Sequence, residues 1–100
     1  MLELLDALMD IRQIPDASLL TVVPLVVAKM KELHLSHLNR LIRLALEYPP
    51  FTRALLGALL TTHFPEQKTE LLQASLNPLT RYQFEGIETL VSNKSKWYFK

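Results

Sequence analysis

The stretch Glu47–Phe64, EYPPFTRALLGALLTTHF, decides the fold. Behind Pro49 and Pro50 come fourteen residues with one permanent charge, Arg53, and one glycine, Gly57. A proline in the first helical position sacrifices no intrahelical hydrogen bond and presets its own φ, so Pro50 marks a helix start. Phe51, Leu55, Ala58 and Leu59 then form one stripe, which Leu56 and Leu60 widen. Ala54, Gly57, Ala58 and Thr61 form a second face of small side chains. Glycine costs a helix about 1 kcal/mol relative to alanine. A flat face offsets that cost when another helix lies close against it. The spacing does not say whether that neighbour belongs to the same chain or to another.

Arg53 poses the companion question. An arginine on so apolar a helix must reach water, pair with a carboxylate or bind free carbonyls. Glu47 is one candidate partner across the Pro-Pro turn, and the carbonyls of other helix ends are another. Arg53 therefore reads as a clamp on the turn between two helices, with contact to an acidic partner as the second reading.

Outward from this stretch, prolines and polar clusters divide the chain into further helices. Leu2, Leu5, Leu8 and Met9 share a face over residues 2–13, with Leu4 and Ile11 beside it, opposite Glu3, Asp6, Asp10 and Gln13. Pro15 ends that helix, and Asp16 or Ser18 is placed to cap the next. Leu19–Ala28 carries no charge and is apolar on nearly every side, so the helix at 19–33 is core or is covered by a partner. Pro24 requires that helix to begin near Thr21 or to kink. A third helix spans 36–48, with Ser36 as its cap, Leu38, Leu41, Ile42 and Ala45 inward, and Arg40 and Arg43 outward. The fourth spans 50–63. The fifth spans 66–76, opened by Pro65, with Leu71, Leu72 and Leu76 inward. From 78 to 100 the helical pattern disappears. Tyr82, Phe84, Trp97, Tyr98 and Phe99 favour extended chain, and Asn77-Pro78 is a breaker. The expectation is a single all-α domain over 1–100. It is a compact bundle of about five helices with an extended or short β C-terminal segment anchored by its aromatics.

One hundred residues suit one domain able to bury a core without staples. The chain is 49% hydrophobic and 21% charged, an apolar excess that hints at a covered surface. It has no cysteine, which excludes disulfides, thiol catalysis and sulfur-based zinc sites and fits a reducing compartment. The opening residues carry acids where a secretory signal carries bases, and no run is long enough to span a membrane.

Catalytic patterns are missing. His34 and His37 stand three apart, but two ligands do not make a metal site. Glu66 with Glu70, and Asp6 with Asp10, read as solvated helix faces. The only glycines are Gly57 and Gly86, so there is no glycine-rich phosphate loop. The expectation is a protein that is not an enzyme and has no cofactor or metal. Net charge is +1, with the bases spread out. Arg40, Arg43, Lys94 and Lys96 are the possible nucleic-acid contacts of a transcriptional regulator domain; the C-terminal lysines flank Trp97 and Tyr98, and bases interleaved with aromatics can grip single strands. A solvated surface is the simpler reading, since so few charges bind weakly at physiological salt. Tyr48, Pro49, Pro50, Arg53, Gly57 and Trp97 are the structural or interface candidates.

Four blocks occur in order along the chain: LLDALMDIRQIPDAS, LNRLIRLALEYPPFTRALLGALL, SLNPLTRYQF and NKSKW. Together they resemble the C-terminal portion of bacterial AbiEi-type antitoxin and transcriptional regulator proteins, and the longest, Tyr48 to Leu60, carries most of the weight. The resemblance implies a cytoplasmic regulatory domain of a type IV toxin–antitoxin or abortive-infection module. Its implied partner is a nucleotidyltransferase-like toxin; the apolar excess adds self-association as the other possibility. In that family a winged-helix domain that binds DNA comes first. This sequence starts at the first helix of the resemblance, so DNA binding is not carried over.

Overall fold

A computed structural model describes residues 2–11, 16–84 and 86–100, with side chains described from 21 onward in the second helix. Among these residues the fold is all-α, with five α-helices and no strand. They are α1 (Leu2–Asp10), α2 (Asp16–Lys31), α3 (Leu35–Ala45), α4 (Pro50–His63) and α5 (Glu70–Ala74). The molecule measures 32 × 29 × 23 Å.

The centre is α4. Nine of its residues, Phe51, Thr52 and Ala54 through Leu60, are buried. A helix apolar on every side is stable only when other elements cover every side. Here α1, α3, α5 and a turn near the C-terminus pack around it. Pro50 is its first residue, at the position that needs no N–H donor. Leu38, Leu41, Ile42 and Ala45 of α3 turn inward, with Arg40 and Arg43 outside, as the spacing predicts.

The boundaries differ from the sequence reading in four places. Helix α2 begins at Asp16 rather than at 19 and runs through Pro24. Proline has no N–H, so the Leu20 carbonyl goes without that donor. Pro24 lies on an exposed side, where water is at hand. The stop expected at Pro15 lies outside the described residues, as does the end of the first helix beyond Ile11. Helix α3 is capped not by Ser36 but by His34, whose Nδ1 accepts from the Ser36 N–H at 3.4 Å. It ends at Ala45, because the turn at Leu46–Tyr48 tightens into bonds three residues apart. Helix α5 is a short Glu70–Ala74 rather than 66–76. The chain after Pro65 folds back instead, with the Gln67 N–H bonded to the Phe64 carbonyl at 2.9 Å and the Gln67 side chain bonded to Asn39. Orientation differs too. Leu2, Met9 and Leu71, expected inside, are exposed, and Ile11 joins Leu5 and Leu8 in the core.

The C-terminal segment, expected to be extended or short β, is anchored by its aromatics and holds no strand among the described residues. It makes two single-turn 3₁₀ helices, Ile87–Thr89 and Ser95–Trp97, and one isolated parallel bridge between Tyr82 and Phe99. Its aromatics fold back onto the first turn of α4. Phe51 stacks on Phe84 with ring centroids 5.8 Å apart and meets Tyr82 and Phe99 edge-on. Burial against a helix outweighs the extended preference of these residues, which is weak away from a sheet. Gly86 starts the first 3₁₀ turn at φ +85°, a region that strains a side-chain-bearing residue. Gly86→Ala is expected to cost about 1 kcal/mol, measured as a shifted urea midpoint.

Candidate interaction surfaces

Two internal contacts fix the body that carries any outer surface. The first is Arg53. Its Nε donates to the Tyr48 carbonyl at 3.0 Å and its Nη1 donates to the Ser75 carbonyl at 3.0 Å. One guanidinium thus joins the turn ahead of α4 to the end of α5. Glu47 is not among its partners in these bonds; helix-end carbonyls take that place. Tyr48 adds an outer tie, its phenol donating to Asp6 Oδ1 at 2.6 Å. Pro49 is the N-cap residue of α4 and has no side-chain bond to offer. Arg53→Ala is expected to cost about 1–3 kcal/mol, because two part-buried carbonyls lose a charged donor. Thermal melts of Arg53→Ala and Arg53→Lys check this, with lysine recovering less than half.

The Tyr48 phenol titrates above the ordinary tyrosine range. Its hydrogen bond to Asp6 is the main cause, followed by partial burial and the Asp6 charge. A proton held more tightly in the folded state stabilises it below the ordinary tyrosine value. That contribution disappears as pH rises through the raised value. Stability is therefore expected to fall more steeply above about pH 10 in the parent than in Tyr48→Phe. Urea unfolding at pH 8 and pH 10.5 makes the comparison.

The second contact explains Gly57. Trp97, fully buried, lies flat on it: a Cβ added at Gly57 would stand no farther than 2.5 Å from three indole carbons. The indole Nε1 donates to Thr61 Oγ1 at 2.9 Å, and Thr61 Oγ1 donates to the Gly57 carbonyl at 2.8 Å. The small face of α4 thus receives an aromatic ring of its own chain rather than another helix. Thr61, four residues beyond Gly57, is the residue whose role sequence reasoning missed. The Gly-x-x-x-Thr spacing was its only signal.

On the outside, Leu25, Leu35, Leu71 and Leu79 each show more than half of their surface. Helix α2 carries an uncharged face, where Thr21, Pro24, Leu25 and Ala28 are exposed on adjacent turns. Beside it runs a groove of about 330 Å³, floored by Val23, Val27 and Leu90 and edged by Lys31 and His63. His63 titrates below the ordinary histidine range, first through desolvation and then through the Lys31 charge; a hydrogen bond to the Leu90 backbone opposes both.

The basic candidates are dispersed. Arg40 and Arg43 are exposed on α3, and Lys96 is exposed and Lys94 half-buried in the C-terminal segment. Arg43 and Lys96 line two different hollows, which share Lys68 and Glu70, and Glu66 joins the second. The surface between them thus carries both signs, with Lys68 beside Glu66 and Glu70. His34 and His37 meet edge to face with centroids 6.5 Å apart. Among the described residues no three metal-ligating side chains converge, and no helix is long and apolar enough to cross a membrane.

These features define a small all-α domain organised around one buried helix and carrying apolar outer faces. No family model, curated protein or solved structure matches the chain.

Proposed function

We propose that this chain is a non-catalytic regulatory domain of a bacterial toxin–antitoxin or abortive-infection system, acting in the cytoplasm through protein contacts. The observation that carries the reading is the uncharged face of α2 beside its apolar groove. Exposed apolar surface of this kind marks contact sites on soluble domains. The sequence blocks around Tyr48–Leu60 supply the identity of the counterpart, a nucleotidyltransferase-like toxin of the same operon. In this reading the toxin buries Pro24, Leu25 and Ala28, and inhibition follows from the contact rather than from chemistry.

The test is coexpression of the two proteins with growth and co-purification as readouts. The parent chain is expected to relieve toxicity and to retain the toxin. A Leu25→Glu/Ala28→Glu variant is expected to lose both by at least tenfold while melting at the same temperature, because both positions are exposed. Retention of the toxin by that variant, or no capture by the parent, overturns the reading.

A further inference from the structure

We draw no further inference here: the strongest candidate, the groove of about 330 Å³ between α2 and the C-terminal segment, belongs to the site already described, and Lys31 and His63 on its edge close the last turns of α2 and α4, where a basic residue is accounted for by the helix end itself, so nothing in the structure shows what covers it.

Discussion

Gly57→Ala is expected to destabilise the protein by about 2–3 kcal/mol, although the same change in an ordinary helix interior stabilises it by about 1 kcal/mol. The sign is reversed by the indole of Trp97. The new methyl would overlap Cζ3, Cη2 and Cε3 of that ring. The ring has nowhere to retreat, because it is fully buried and its Nε1 is bonded to Thr61. Accommodation requires moving the ring off α4, and with it the 3₁₀ turn Ser95–Trp97. For a chain of this size that loss lowers the melting temperature by about 10–20 °C. Differential scanning calorimetry measures it directly.

Trp97→Ala is expected to cost more, about 3–5 kcal/mol, in the range for removing a buried aromatic from a core. Three losses coincide. The indole leaves a void over Gly57, the Thr61 hydroxyl loses its donor, and the C-terminal segment loses one of the side chains that pin it to α4. The third has a local consequence. Tyr82 donates its N–H to the Tyr98 carbonyl at 2.6 Å and accepts from the Lys100 N–H at 2.9 Å. Those bonds lie next to Trp97 along the chain, and the packing of Tyr82 and Phe99 on Phe51 shares in holding them. Amide exchange at Tyr82 and Lys100 is therefore expected to be faster in Trp97→Ala than in the parent. Trp97→Phe keeps an aromatic ring but drops the hydrogen bond, and is expected to fall between the parent and the alanine variant.

These effects show which parts of the fold were legible beforehand. The helices of clearest pattern were read correctly where punctuation and periodicity agreed. Pro50 fixes the start of α4, and the spacing of Leu38, Leu41, Ile42 and Ala45 fixes the inner face of α3. Gly57 was visible as a site of close approach, because only a near neighbour justifies glycine in so apolar a run. The identity of that neighbour was not visible, since Trp97 lies forty residues away and reaches α4 through a segment without periodicity. Arg53 was legible as a clamp, but its acceptors are backbone carbonyls, which every residue possesses and no sequence pattern marks. The same holds for His34, whose capping role depends on a side-chain geometry that competes with the usual serine cap. The aromatic C-terminal segment reads in the sequence as extended or short β and anchored on the helical body; the anchoring is there, but among the described residues its β structure is a single bridge, Tyr82 with Phe99. Its residues carry a β preference that matters only beside a sheet, and here their neighbour is a helix.

The outer surfaces follow a similar division. The apolar excess of Leu19–Ala28 was evident in composition, and the structure buries Val23, Val26 and Val27 while leaving Pro24, Leu25 and Ala28 outside. Composition alone does not divide such a run between core and surface, because every residue in it is a fit for either. Leu79 is the converse case. A lone leucine after Asn-Pro carries no signal in the sequence, and its exposure emerges only from the turn that holds it.

Helix α4 keeps a small face so that Trp97 can lie on it. The most direct measurement is the free energy of unfolding of Gly57→Ala in two backgrounds, the parent and Trp97→Ala. Opposite signs are expected in the two backgrounds. The methyl costs about 2–3 kcal/mol beneath the indole, and stabilises by up to about 1 kcal/mol where the indole is gone and only helix propensity remains. An equal loss in both backgrounds would contradict it.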